Sequence, residues 1–268
     1  MFEARDHTFA ICAYKENPFL EDTVLSILAQ NSLGKVLIST STPNEHIMDI
    51  GKKYDIPVVV NPHPHLAGDD WNYAYNSAET AFVTLAHQDD IYEKDYLSSI
   101  LSAANSYPLD QLSILFTDYY EIRDEKTVST NKLLFIKSCM NAPFKSRTLN
   151  GSIPIKKRIL GFGDALCCPS VCYVKANLGA SIFDTTYKNS CDYKTFVDLA
   201  RKPGRFVYVP KKLLGHRIYA ESATTLNLAE NIRKREDEEI LASLWPKPVA
   251  KVINKCYATS EKSNQLER

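Results

Sequence analysis

The sequence predicts an α/β protein built on a mostly parallel sheet. Three observations carry this expectation. Short apolar runs, such as Thr8-Phe9-Ala10-Ile11-Cys12-Ala13 and Thr80-Ala81-Phe82-Val83-Thr84-Leu85, read as buried strands. Segments with apolar residues at helical spacing alternate with them, and short turns join the two, which is the pattern of βαβ units. The length of 268 residues suits one large α/β domain or two small ones.

The elements follow in order. Residues 8–13 form the first strand, ended by Tyr14-Lys15-Glu16-Asn17-Pro18. Leu20, Val24, Leu25, Ile27 and Leu28 recur at helical spacing, up to Asn31 and Gly34. Residues 35–39 make a second strand, followed by the hydroxyl-rich turn Ser39-Thr40-Ser41-Thr42-Pro43-Asn44. A short helix covers 47–53, and a third strand, 55–60, stops at Asn61-Pro62. A loop over 63–70 leads to a helix over 71–79 and then to the Phe82 strand. A helix over 96–106 precedes a strand over 112–117 that continues to Glu121. Residues 124–152 are mixed and polar, with Lys132, Lys137, Lys145 and Arg147, and read as a long excursion over the sheet. A helix over 152–160, a strand over 167–174, a helix over 193–200 and a strand over 204–210 complete the pattern. Beyond them, a charged helix over 230–244 is broken by Trp245-Pro246-Lys247-Pro248, and a second helix covers 249–257. The tail from Ser260 is polar and reads as frayed.

Composition narrows the function classes. Lys plus Arg and Asp plus Glu both number 32, so no basic excess points to nucleic acid. No apolar run approaches the roughly 18 residues that span a bilayer. The charged start, Met1-Phe2-Glu3-Ala4-Arg5-Asp6, lacks the apolar core of a signal peptide, so a cytoplasmic protein is expected. The seven cysteines contain no Cys-x-x-Cys pair and read as reduced, mostly buried thiols.

The chemistry centres on Ala86-His87-Gln88-Asp89-Asp90-Ile91-Tyr92. Adjacent carboxylates at the end of a buried strand need a cationic partner, and ligands of open α/β sheets bind outside the strands' carboxyl ends. A hard divalent cation carrying phosphates suits that place. The competing reading is a cap for the helix that begins near Lys94-Asp95-Tyr96. No glycine-rich phosphate loop is present, Gly161-Phe162-Gly163 being the nearest approach, so a metal ion is the natural substitute.

Further stretches join this one: Ala13-Tyr14-Lys15-Glu16-Asn17, Asp70-Trp71-Asn72, Cys191-Asp192 and His216-Arg217-Ile218-Tyr219-Ala220-Glu221-Ser222-Ala223-Thr224. In this order the chain resembles the inverting family-2 glycosyltransferases of the GT-A fold. The first stretch is similar to the family's Pro-Thr-Tyr-Asn turn, and Asp70-Trp71-Asn72 to an Asn-containing helix start. His87-Gln88-Asp89-Asp90 stands in the place of Asp-x-Asp-Asp, and Cys191-Asp192 in that of a Glu-Asp pair. The stretch from His216 resembles Tyr-Arg-x-His-x-x-Ser-x-Ser. Two departures are visible. His87 replaces the first aspartate, and Ser39-Thr40-Ser41-Thr42 replaces Asp-Asp-Gly-Ser, whose carboxylate contacts the base in relatives.

The resemblance implies a single Rossmann-like GT-A domain over residues 1–226, with helices flanking the sheet. Its nucleotide-sugar half covers about 1–120 and its acceptor half about 121–226, followed by a C-terminal helical extension over 227–268. Mn²⁺ or Mg²⁺ is expected on Asp89, with Asp90 in support and His216 as a further ligand candidate. The expected donor contacts are Ala13, Tyr14, Glu16, Thr40, Asn72, His87, Gln88, Asp89 and Arg217. Tyr14 is suited to stack on the base and Arg217 to pair with phosphate. Asp192 is the expected general base, with Asp164 and Cys191 facing the acceptor. The implied donor is a UDP-, GDP- or dTDP-sugar, and the implied acceptor a glycan or lipid-linked glycan in surface polysaccharide synthesis. A non-catalytic binding relative is the alternative. A sugar nucleotidyltransferase would need a glycine-rich, arginine-containing loop after the first strand, which Cys12-Ala13-Tyr14-Lys15-Glu16 does not supply.

The terminal helices suit an acceptor lid, a homodimer contact or a rest on the inner face of the membrane. Lys234, Arg235, Lys247, Lys251 and Lys255 are interleaved with Glu236, Asp237, Glu238 and Glu239. That mixture argues for peripheral membrane contact at most.

Overall fold

The apolar runs do become strands of one sheet. The structure, a computed structural model, describes residues 1–219 and 232–261, with side chains up to Tyr257. The start of the predicted 230–244 helix, the 226/227 boundary, residues 220–224 of the last matching stretch and the tail beyond 261 lie outside the described residues.

In chain order, β1 (His7–Ala13), α1 (Leu20–Leu28), β2 (Lys35–Thr40), α2 (Glu45–Lys53), β3 (Val58–Val60), α3 (Ala67–Ser77) and β4 (Phe82–His87) form the first half. Then come β5 (Ile91–Tyr92), α4 (Tyr96–Ala104), β6 (Leu112–Arg123), β7 (Lys126–Val128), α5 (Lys132–Asn141), α6 (Ile153–Leu160), β8 (Val171–Val174) and α7 (Lys175–Leu178). The remainder is α8 (Cys191–Ala200), β9 (Arg205–Ile218), α9 (Ile232–Ala242) and α10 (Lys247–Glu261). The nine-stranded sheet has the order β3-β2-β1-β4-β8-β6-β9-β5, with β7 on β6. The strands β1, β2, β3, β4, β6 and β9 point one way, and β5, β7 and β8 point the other.

Successive side chains of a strand face opposite sides, so each buried strand feeds two cores. Phe9 and Ile11 of β1 pack with Val24 and Ile27 of α1, Ile47 and Ile50 of α2 and Ile100 of α4. Ala10 of β1, between them, joins Tyr75 of α3, Leu160 of α6, Phe196 of α8 and Ile240 of α9 on the other face. With both faces covered, a central strand has no polar side to show, which is why its sequence lacks alternation.

Several expectations need correction. The third strand is shorter because Asp55 turns at a φ of 53° before Pro57. The predicted strand over 167–174 starts only at Val171, since Pro169 sits in a 3-10 turn. The late strand does not stop at Pro210 but runs on to Ile218, with register shifts against β6 between Thr117 and Tyr119 that absorb the proline. The excursion over 124–152 contains the hairpin strand β7 and helix α5. Helix α5 was hidden because buried Leu133 and Leu134 are followed directly by exposed Phe135 and Ile136, a run without helical spacing.

Helix α3 is fastened at Asn72, not open to a ligand there. Its Nδ2 donates to the Phe183 carbonyl at 2.8 Å, and its Oδ1 accepts the Ile182 and Phe183 N–H groups at 3.0 Å. The side chain is buried and both ends of its amide are engaged, so the expected donor contact is not what Asn72 does here. Asn72→Ala orphans buried backbone groups and should lower the unfolding free energy by about 2–4 kcal/mol. Urea unfolding measures this, and a loss below about 0.5 kcal/mol would show that the clamp carries no stability.

Candidate active site at the carboxyl edge of the sheet

The chain passes from β1 to β2 and β3 on one side, then returns to place β4 on the other side of β1. The β1–β4 crevice is therefore the topological switch point, where open α/β sheets bind ligands. Register puts Ala13 beside Thr40 and Cys12 beside His87, so three strands end together there.

The loops above these ends are laced to one another. Gln88 spans the crevice: its Oε1 accepts the Tyr14 N–H at 2.9 Å and its Nε2 donates to the Tyr14 carbonyl at 3.0 Å. Lys15 takes a φ of 56°, uncommon for a residue with a side chain. That turn brings its N–H to the Thr42 hydroxyl at 2.5 Å. Tyr14 and Glu16 are exposed at the mouth of the crevice. Thr40 is buried, and its hydroxyl accepts the Thr42 N–H at 3.0 Å, so it shapes the turn in place of the expected donor contact.

Asp89 and Asp90 play different parts. Asp90 is fully buried; its Oδ1 meets His216 Nδ1 at 3.0 Å and accepts the Arg217 N–H at 3.0 Å. Its carbonyl accepts the Thr23 hydroxyl at 2.8 Å. Asp90 thus ties β4, β9 and α1 together, and of the two aspartates only Asp89 keeps solvent access. Asp89 Oδ2 accepts the Tyr219 hydroxyl at 2.9 Å. Burial, then the charge of Asp90, pushes the Asp89 carboxyl above the usual carboxylate range. For His216, burial disfavours the charged ring, but Asp90, Asp89 and Glu121 outweigh it and its pKa is raised. The Arg217 guanidinium donates from Nε to the Asp89 carbonyl at 3.0 Å, reaches Asp22 at 3.5 Å and lies 4.0 Å over the Phe19 ring. It holds the aspartate loop, which is not the free phosphate fork expected of it.

His87, the departure at the first aspartate position, stacks on Trp71 at 5.2 Å between ring centroids. Its Nδ1 lies 3.9 Å from Asp90 Oδ2. Asp90 Oδ2 and His87 Nε2 are buried without a hydrogen-bond partner among the described residues. Among those residues, no three His, Cys, Asp or Glu side chains group to hold a metal ion by themselves. The residues fit a cation that takes only part of its ligands from protein, because negative charge is concentrated here and a buried acceptor is unsatisfied.

One carboxylate, quoted only within Asp70-Trp71-Asn72, had no role assigned from the sequence. Asp70 of α3 accepts the Ser41 hydroxyl at 2.7 Å and the Asn61 amide at 2.8 Å. It brings to the β2 turn the negative charge that Ser39-Thr40-Ser41-Thr42 lacks. Its sequence signal was its place in the Asp70-Trp71-Asn72 stretch at a helix start, where a dipole role explains an Asp equally well.

A second group of carboxylates lies beyond. Asp192 is in the first turn of α8, partly exposed, and its Oδ1 accepts the Tyr193 N–H at 2.8 Å. Asp164 follows Gly163, whose φ is 123° and where a Cβ would sit 2.5 Å from the Tyr257 ring. Asp164 is buried, and burial together with Asp192 pushes its pKa up to about 8. Lys137 of α5, absent from the sequence-based site, lies within the field of Asp164 and over the Tyr119 ring. The Cys167 thiol is pushed up by burial, then by Asp90, Asp164 and Asp192, so both groups of carboxylates act on one buried point. Cys191 is 1% exposed, so its thiol is closed to an acceptor, contrary to expectation. All seven cysteines are free thiols.

The comparisons agree with this architecture. The model of Glycosyl transferase family 2 matches residues 8–170, more than half of the 268-residue chain. The structure of residues 1–349 of TarS from S. aureus is similar, with 15% identity and a TM-score of 0.61, over 90% of this chain and 71% of that one. The same TarS fragment has been solved with UDP and with UDP-GlcNAc. The mannosyltransferase PcManGT from Pyrobaculum calidifontis, in complex with GDP-Man and Mn²⁺, shares 12% identity and a TM-score of 0.59 over 99% of this chain and 77% of that one. Glucosyl-3-phosphoglycerate synthase from Mycobacterium tuberculosis, in complex with phosphoglyceric acid, shares 12% identity and a TM-score of 0.60, covering 90% and 80%. No curated protein matches. With the switch-point crevice, the aspartate loop and the family match in agreement, the chain belongs to glycosyl transferase family 2 and has its GT-A fold.

Proposed function

We propose that the chain transfers a sugar, with inversion, from a nucleotide-sugar to a hydroxyl of a glycan or lipid-linked acceptor. The observation that carries this reading is the convergence of Asp89, Asp90, His216 and Arg217 at the switch-point crevice, with the Asp164–Asp192 pair acting on the same buried Cys167.

Direct transfer needs a neutralised leaving diphosphate, a deprotonated acceptor and in-line geometry. Asp89 and His216 Nε2 would hold a Mn²⁺ or Mg²⁺ ion. That ion, when bound, supplies the positive charge that a departing diphosphate requires. Asp90 takes the Nδ1 side of His216, which leaves Nε2 as the outward nitrogen, the arrangement common behind metal-bound histidines. Tyr14 offers an exposed ring for the base. Asp70, through Ser41 and Asn61, supplies the polar edge beside it. Asp192 accepts the acceptor's proton. Its neighbour Asp164 assists by staying protonated, because burial and then the charge of Asp192 disfavour its ionised form. The same chemistry would serve a binding relative that has lost transfer, and His87 in place of the first aspartate favours that second reading.

Donor binding should raise Tm by roughly 5 °C or more when a matching UDP-, GDP- or dTDP-sugar is supplied with Mn²⁺ at about a hundredfold excess over Kd. Asp89→Ala should remove the Mn²⁺-dependent part of that shift. If no nucleotide-sugar stabilises the protein with any metal, the donor reading fails. Asp192→Asn should retain the donor shift while transfer drops about 100-fold or more. Unchanged turnover in that variant would strip Asp192 of the base role, and a donor shift without transfer in the wild type would select the binding-only reading.

Asp164 makes a separate prediction. It stays protonated in the folded chain to about pH 8, whereas the unfolded group ionises near 3.8. The folded state therefore holds the extra proton between those values, and stability falls as pH rises through that window. Asp164→Asn abolishes this slope, so the variant gains on the wild type in urea unfolding between about pH 5 and pH 8. A constant difference across that range would mean that Asp164 is ionised in the fold.

A further inference from the structure

Helix α8 carries Asp192 in its first turn, and its entry is held from outside. Its N-cap, Ser190, gives no side-chain hydrogen bond to the helix, although serine is among the residues best suited to do so. The Ser190 hydroxyl donates instead to Asp237 of α9 at 2.7 Å. Glu236, the preceding residue of α9, accepts three successive N–H groups of the entering loop. Lys188 donates to its Oε1 at 2.7 Å, and Asn189 and Ser190 donate to its Oε2, both at 2.9 Å. Glu239 accepts the Tyr187 hydroxyl at 3.0 Å. Three acids of one helix are thus committed to residues 187–190. A carboxylate in the place of Glu236 is favoured twice, because it satisfies backbone donors and lies at the positive end of the α8 dipole. Asp237 is buried, and Arg233, one turn back, stands 3.8 Å from it as counter-charge.

The far end of the same loop is fixed separately, since Asn72 of α3 holds Ile182 and Phe183. The second C-terminal helix fastens the other carboxylate. Trp245, between α9 and α10, donates from its indole N–H to the Gly161 carbonyl at 2.7 Å. The Tyr257 hydroxyl of α10 donates to the Asp164 carbonyl at 3.3 Å. The two helices are joined to each other, Asn254 Nδ2 donating to the Lys234 carbonyl at 2.8 Å. One helical unit therefore holds the backbone beside both Asp164 and Asp192.

We propose that Glu236 is a positioning residue for transfer: through the N–H groups of residues 188–190 it sets the entry of α8, and so places the Asp192 carboxylate against the acceptor hydroxyl. The inference rests on the base role read for Asp192. The lever is short, because Asp192 lies two residues beyond the last N–H that Glu236 holds. A general base works only within hydrogen-bond reach of the proton it takes, and a displacement of about 1 Å can cost on the order of 100-fold. Both Glu236 oxygens are engaged by the loop, so Glu236 acts through Asp192 and not on the substrate.

A double-mutant cycle in the full chain tests it. The probes are the UDP-, GDP- and dTDP-sugars with Mn²⁺, and turnover is read as nucleoside diphosphate released with water as the acceptor. Glu236→Ala should lower turnover about tenfold or more while the donor-induced Tm shift stays unchanged. Glu236→Gln, which keeps an acceptor oxygen, should restore much of the loss. The double variant E236A/D192N should be no slower than Asp192→Asn alone, because the two changes remove one function. Amide exchange at residues 188–190 should quicken about tenfold or more in Glu236→Ala, with β1 and β4 unchanged. Losses that multiply in the double variant, or unchanged exchange at residues 188–190, overturn the proposal and leave Glu236 a structural contact only. Full turnover in Asp192→Asn alone is the separate failure of the base role, seen without any change at Glu236.

Discussion

The crevice depends on one buried carboxylate. Asp90 has no solvent access, so its charge must be met by protein groups. His216 and the Arg217 N–H meet it from β9, across a separation of more than 120 residues in sequence. Its carbonyl meets Thr23 of α1. Removing any partner would leave a buried charge uncompensated, a cost far above that of a surface ion pair. The end of β9 is thereby held against the end of β4, and the residues above inherit their positions. Arg217 grips the Asp89 carbonyl, and Tyr219 reaches the Asp89 carboxylate. A helix cap and a ligand site were competing readings of Asp89-Asp90. The structure divides the pair between buried support and open carboxylate.

Helix α3 shows how closely support and site are interwoven. Three consecutive residues take three directions. Asp70 meets the β2 turn, Trp71 stacks on His87, and Asn72 clamps the loop before α8. Successive helical residues project about 100° apart, so one turn can meet the β2 turn, the His87 ring and the loop before α8 at once. The Trp71–His87 stack occupies the place where the family resemblance implies an aspartate. The carboxylate missing from the β2 turn comes instead from Asp70. The two departures of this chain from its relatives are thus answered from neighbouring positions on one helix.

The Asp164–Asp192 pair follows the same physics with the opposite result. Asp90 finds donors and stays in the charge network. Asp164 is buried beside Asp192, and burial raises its pKa. Lys137 opposes that shift without cancelling it. Asp164 is therefore suited to hold a proton, a role set by its environment and not by its residue type.

The strand–helix alternation, the parallel sheet and the aspartate loop were all legible in the chain, because apolar period and turn chemistry are local properties. The positions of His216 and Arg217 near the aspartates were legible only through family resemblance. Helix α5 and its Lys137 were not legible, because adjacent Leu133 and Leu134 face inward while Phe135 and Ile136 face out, and no single period describes that run. Asn72 and Arg217 had residue types suited to ligands, yet partners far away in sequence engage their polar atoms, while Thr40 is tied to its neighbour Thr42 and Cys191 is buried. Glu236 and Asp237 of α9 look like part of a plain charge run in the sequence, but folding turns them toward the 188–190 loop. The sequence by itself determined most of the strands and helices and where charge concentrates at strand ends. Only the tertiary structure decided which of those charges are satisfied internally and which remain for a ligand, because hydrogen-bond satisfaction is set by contacts between distant segments that no local pattern encodes.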